Sequence, residues 1–126
     1  MYSNGYNVYK NNSVTYASKE QLLLMLVDGA VKFAKISRQA IVDKDIKKAH
    51  DYLIKTQDIF VELMVTLDLS EAEWLGNLFE VYGYIKDKLV EVNLKKDLGL
   101  LDEVIPLIES VRQLWNDCYK EAKKNR

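Results

Sequence analysis

An all-α fold, an antiparallel four-helix bundle, is what the 126-residue sequence predicts, with an irregular or short-helical N-terminal segment packed across it. Three observations lead there. Pro106 is the only proline and the glycines number five, too few turn formers for strands that would need a turn about every ten residues. Apolar residues recur in steps of three and four along four successive stretches. The polar connections between those stretches are short, which makes consecutive helices antiparallel neighbours.

The first helix opens at Ser18-Lys-Glu-Gln21, the spacing of a capping box, in which the serine hydroxyl satisfies an orphan N–H and the glutamine reaches back. Its stripe is Leu22, Leu26, Gly29, Phe33, Ile36 and Ala40, and it ends near Asp43 in a very short turn. The second helix carries Ile46, Ala49, Leu53, Thr56, Phe60, Leu63 and Leu67, an a/d pattern over three heptads. A second capping box, Ser70-Glu-Ala-Glu73, is predicted to open the third helix, whose stripe is Leu75, Leu78, Tyr82, Ile85, Leu89 and Val92. Residues 93–99 read as the next turn. The fourth helix follows Leu101, Val104, Ile108, Val111, Trp115, Cys118 and Ala122. Pro106 inside that pattern lacks a backbone donor and predicts a kink or a late start, and the basic end from Lys120 to Arg126 is expected to fray.

The helices are more apolar than four core stripes require. Residues 22–27 are apolar right round the cylinder. Ile54, Val61 and Val65 lie beside the second stripe, and Leu107 and Leu114 lie one heptad apart beside the fourth. Trp74, Phe79 and Val90 fall off the third. Bundle helices often carry a third apolar position per heptad beside the core. The same surplus also suits a groove for another apolar segment, and the tyrosine-rich head around Tyr6 and Tyr9 is one candidate occupant.

Composition excludes several classes. Eighteen Lys and Arg against nineteen Asp and Glu give no net field for nucleic acid or an anionic membrane. One cysteine rules out an internal disulfide framework and fits a reducing compartment. No apolar run approaches a membrane span and the head lacks the pattern of a signal peptide, so a cytoplasmic protein is expected. Catalysis has little to build on. His50 is the sole histidine and reads as a partly buried structural imidazole, while Cys118 reads as a small core hydrophobe. No Glu-x-x-His pair, zinc spacing or glycine-rich phosphate loop is present, which predicts no enzyme, no cofactor and no metal. The arginine–histidine spacing of small helical nucleases is also missing, Arg38 lying too far upstream of His50.

From Gly5 to Trp115 the chain resembles the FliS family of flagellar secretion chaperones. Tyr6-x-x-Tyr9 with Asn12-Ser13-Val14 is similar to the family's Y-x-x-Y…SV element, and Glu20-x-Leu22-x-x-Met25-Leu26-x-Asp28-Gly29 to the opening of its first helix. Lys55-x-Gln57-x-Ile59-x-x-x-Leu63-x-x-x-Leu67-Asp68 resembles its second helix. Asn77-Leu78, Tyr82-x-Tyr84, Leu89 and Asn93 resemble its third, and Glu103-Val104 with Arg112-x-x-Trp115 its last. The chain departs from the pattern at Val27, where the family has tyrosine, at Lys19 and Val92, and in lacking a Gly-Gly element before the third helix.

The resemblance implies a cytoplasmic export chaperone that binds the disordered C-terminal segment of flagellin, prevents its premature polymerisation and aids delivery to the flagellar type III secretion apparatus. Flagellar regulatory or export proteins are further partners it allows. It also implies a division into a Tyr-rich lid segment, residues 1–17, and a bundle domain, residues 18–124. Tyr6, Val8 and Tyr9 are the lid contacts, and a displaceable lid and a permanent strap both remain open. The surplus stripes add Leu23, Val27, Ile54, Val61, Val65, Leu107 and Leu114 as the contacting surface. Neither nucleic-acid binding nor membrane insertion is expected, and the chain should be a monomer or weak homodimer. The alternative is a homodimeric helical adaptor without a flagellin client.

Overall fold

A computed structural model describes residues 18–124, and the predicted lid residues Tyr6, Val8 and Tyr9 lie outside that range. The described chain forms α1 (Lys19–Val42), α2 (Ile46–Thr66), α3 (Trp74–Lys95) and α4 (Leu98–Lys124). Helix α1 packs on α2 and α4, and α3 packs on the same two, so the helices run round a square in chain order. Cross-helix pairs set the directions. Arg38 meets Asp102 and Lys35 meets Glu109 between α1 and α4, while His50 meets Asn93 and Phe60 meets Tyr82 between α2 and α3. In each case residue numbers rise on one helix as they fall on the other, the signature of antiparallel neighbours.

Local signals explain the helix ends. The Ser18 hydroxyl accepts from the Gln21 N–H at 3.2 Å, and the Gln21 side chain accepts from the Ser18 N–H at 2.9 Å, closing the predicted box. Between α1 and α2, Lys44 takes a left-handed φ of 59°, and Asp45 caps α2 by accepting from the Lys48 N–H. The second predicted box does not form. Ser70 instead turns both its N–H and its hydroxyl onto Asp68 Oδ1, at 3.0 and 2.6 Å, so α3 begins at Trp74 without a side-chain cap. The predicted 93–99 turn shrinks to Lys96 and Asp97. Lys96 closes α3 in a left-handed conformation, φ 51°, and the Asp97 carboxylate accepts from the Leu100 N–H to start α4.

Pro106 neither delays nor ends α4, which starts eight residues earlier and runs through it. Pro106 and Asp102 are both on the exposed side, where water can serve the carbonyl that proline leaves without a helical donor. The tail does not fray over 120–124, where the helix continues with every residue exposed, although Ala122 thereby leaves the predicted core stripe.

The core is one continuous cluster. Every predicted stripe residue of α3 is buried, as are Ala49, Leu53, Thr56, Phe60 and Leu63 of α2. On α1 the buried line is Leu26, Ala30, Ala34, Ser37 and Ala40 with Val27 and Val31, so the true core face is turned roughly 80° from the predicted one at about 100° per residue. Leu22, Gly29, Phe33 and Ile36 lie only half buried, along the flank toward α2, where Phe33 meets Tyr52 edge-on. The apolar run at 22–27 offered no contrast by which to phase the helix. At the heart of the bundle Tyr82 is fully buried, 5.9 Å edge-on from Phe60, and accepts the Trp115 indole N–H at 2.7 Å. Ser37 and Thr56, buried polar residues, satisfy their hydroxyls on the carbonyls of Phe33 and Tyr52 one turn back.

Candidate binding surface

The residues that sequence reasoning set aside as surplus do not all share one face. Val27 is 1% exposed and sits inside the core cluster, so it offers nothing to an outside partner. Leu23 is half buried and packs against the same cluster. The outward positions fall into two strips, one on each side of α3.

The first strip belongs to α2. Ile54, Asp58, Val61 and Val65 are spaced by four, three and four, so they form a line on the side opposite the core line. Ile54 and Val61 are half buried, and Val65 is 71% exposed. On the adjoining flank of α3 lie Phe79, half buried, and Val90, 40% exposed. Gly83 and Gly76 stand one and two heptads before Val90. Met64 of α2 reaches across, its Cε 3.6 Å from where a Cβ on Gly83 would sit, while a Cβ on Gly76 would meet nothing within 4 Å. The result is a trough along the α2–α3 seam with apolar walls, open over Gly76 and filled over Gly83 by Met64. Its far end is tied by a hydrogen bond between His50 Nδ1 and the Asn93 amide. His50 is thus an exposed interhelical tie rather than the partly buried imidazole expected.

The second strip follows the opposite flank of α3. Leu107, 38% exposed, and Leu114, half buried, lie on the side of α4 away from the Asp102 and Glu109 pairs with α1. They neighbour exposed Trp74 and Val81, with the Trp74 and Trp115 rings tilted at 6.1 Å. A third feature is an open depression on α1 lined by Met25, Asp28, Gly29, Lys32 and Phe33. Beside it the Lys55 ammonium lies 4.5 Å from the Tyr52 ring centre and 5.8 Å from that of Phe33.

Charge is unevenly spread along this surface. Over the thirty residues from Thr56 to Ile85 there are six carboxylates and no Lys or Arg, so all eighteen basic residues lie elsewhere. This run covers the end of α2, the α2–α3 connection and the first half of α3. Among the described residues none of the six carboxylates forms an ion pair. Burial pushes the Asp58 carboxyl above its ordinary range, and Glu62 one turn on adds to the rise. Sequence reasoning missed both the acidic window and the two glycines, because it tallied charge over the whole chain and, apart from Gly29 on the first stripe, gave glycine no place on a helix face. A windowed charge count and the seven-residue glycine spacing would have found them.

Among the described residues no group of three His, Cys, Asp or Glu is placed to hold a metal, and no helix is long and apolar enough to cross a membrane. Cys118 is half buried, its thiol pushed up by burial and by Asp117, which keeps it protonated and a poor nucleophile. What this surface offers is apolar area beside charge, the means of binding another chain.

Comparison with known proteins gives a consistent result. Residues 2–122 match the family model described as flagellar protein FliS. A protein of Bacillus subtilis named flagellar secretion chaperone FliS is 35% identical, over 98% of this chain and 92% of its own length. Proteins of the same name from Campylobacter jejuni and Salmonella typhimurium are 27% and 29% identical, over 90% and 88% of this chain and 90% and 84% of their own lengths.

Proposed function

The chain belongs to the FliS family of flagellar proteins, and from that premise we infer that it is a cytoplasmic export chaperone whose client is the C-terminal segment of flagellin. The observation that carries this reading is the apolar trough between α2 and α3. Ile54, Val61 and Val65 on one wall and Phe79 and Val90 on the other leave apolar area in water that a bundle core does not use. An unfolded client segment that polymerises through its own apolar face loses that capacity once the face is laid into such a trough. Binding works without turnover. Ordering the client consumes part of the contact free energy, so the complex holds firmly but releases when the flagellar type III secretion apparatus draws the client away. No reactive group is needed for this, and the protein is read as a non-enzyme.

Calorimetric titration of the full chain with the C-terminal segment of flagellin from the same organism tests the reading. One-to-one binding that Val65→Glu weakens at least tenfold without changing the helical circular dichroism supports it. No binding, together with concentration-dependent dimerisation, would favour an adaptor bundle. Repeating the titration with a chain starting at Ser18 separates the two roles open for Tyr6, Val8 and Tyr9: tighter binding identifies a competing lid, weaker binding a strap or part of the site.

A further inference from the structure

The α2–α3 trough is apolar along its walls, and its end near the α2–α3 connection is edged by unbalanced negative charge. Toward Val90, by contrast, the basic Lys86 and Lys88 are paired with Asp87 and Glu91. Asp58 stands within the outward line of α2, between Ile54 and Val61, and Glu80 follows Phe79 on α3. Glu73, Glu71 and Asp68 continue the same sign round the near end, and no Lys or Arg occurs anywhere from Thr56 to Ile85. A surface used only to bury apolar side chains has no need for such a bias, which repels itself and weakens the fold. The walls present side chains rather than free backbone donors, so an occupant must satisfy its own peptide groups, which a helix does internally. Gly76, with open space where a Cβ would go and no positive φ to demand glycine, lets such a helix come close to α3.

We propose that the α2–α3 trough selects its occupant by charge, taking an amphipathic helical segment whose apolar stripe is bordered by Lys or Arg. This rests on the chaperone reading and adds the chemistry of the client segment it prefers. Lysine or arginine beside the stripe comes over Asp58 and Glu80 when the apolar face is seated, whereas a glutamate-bordered helix of the same apolar face meets repulsion. Partial burial of Asp58 is relieved by an arriving cation, which makes it the position where the charge of the occupant counts most. Charge complementarity of this kind sets specificity and association rate more than total affinity.

The test uses the full chain and two designed peptides sharing one apolar stripe, one bordered by lysine and one by glutamate, beside the flagellin C-terminal segment as a reference. At about 50 mM salt the lysine peptide should bind about five- to tenfold more tightly than the glutamate peptide, and the gap should close as salt rises toward about 500 mM. In the double variant Asp58→Asn, Glu80→Gln the gap should shrink at low salt while the wild-type circular dichroism is retained. Gly76→Leu, which places a side chain over the trough, should weaken both peptides. Equal binding of the two peptides, a gap that ignores salt, or peptides that fail where the flagellin segment binds would each overturn charge selection while leaving the chaperone reading intact. A flagellin segment that fails to bind, with the peptide gap preserved, would overturn the client and keep the selectivity.

Discussion

Trp115 donates its indole N–H to the phenol oxygen of Tyr82 across 2.7 Å, and this bond joins α3 to α4 where the two helices pack least extensively. Tyr82 is fully buried and Trp115 only partly, so the two ends of the bond are not equivalent. Tyr82→Phe leaves an indole N–H that can turn toward water and should cost about 1 kcal/mol. Trp115→Phe strands a buried phenol and leaves a void beside it, and should cost about 2–4 kcal/mol. Urea unfolding of both variants checks the order, and equal losses would show that burial does not separate the partners.

The same burial raises the Tyr82 phenol from 10.0 to about 12, the bond from Trp115 offsetting part of the rise. A raised folded value means that its contribution to stability is whole below pH 10 and is lost as pH climbs toward about 12. Absorbance at the tyrosinate band should show one tyrosine ionising late and together with unfolding, and Tyr82→Phe should remove that step.

On the acid side the sign reverses. The Arg38 guanidinium donates to Asp102 through Nε and Nη2, at 2.5 and 3.2 Å, and this holds the Asp102 carboxyl below its ordinary 3.8. Its contribution is present above that value and fades as pH falls below it. The pair is exposed, so Asp102→Asn should lower the melting temperature only slightly at pH 7, and the difference should vanish near pH 2 and shrink with added salt.

Asp58 behaves in the opposite way. With its carboxyl raised by burial, the charged form costs stability at neutral pH, and that cost is relieved as pH falls through the raised value. Asp58→Asn should therefore melt slightly higher than wild type at pH 7 and no higher near pH 3. A gain in stability at a position that serves binding is the usual trade-off between fold and function.

Two backbone positions carry removable costs. Gly76 sits inside α3 with open space where a Cβ would go, so Gly76→Ala should stabilise by about 0.5–1 kcal/mol. Lys44 adopts φ 59° in the α1–α2 turn, and Lys44→Gly should gain about 0.5–1 kcal/mol by removing a Cβ from the left-handed region. Thermal unfolding of each variant decides, and a loss at Gly76 would mean that α3 has a neighbour there in solution.

The bundle was legible in the sequence because α2 and α3 alternate apolar and polar residues cleanly, which is why the α3 stripe came out complete. The phase of α1 was not, since six apolar residues in a row carry no direction and Val27 therefore landed on the wrong face. Ser70 was misread because two residues away Asp68 offers its N–H and hydroxyl a nearer acceptor than the helix start does. The candidate surface was half visible: Ile54, Val61 and Val65 stood out by spacing, but only the packing shows which side of α3 they flank. That Leu107 and Leu114 lie on the other side could not be read from a heptad pattern, which fixes position on a helix but not the identity of its neighbour.

The circular order of the helices also bears on how the chain finds this state. Three of the four seams join consecutive helices and close across loops of two to seven residues, events that cost little chain entropy. The seam of α1 with α4 alone joins the two ends of the described chain, with Arg38 and Asp102 separated by 64 residues. It is the one non-local step in an otherwise local topology. Substitutions along it, such as Lys35 or Arg38, should leave early hairpin formation untouched and register in the closing event, the last association that makes four helices into a ring.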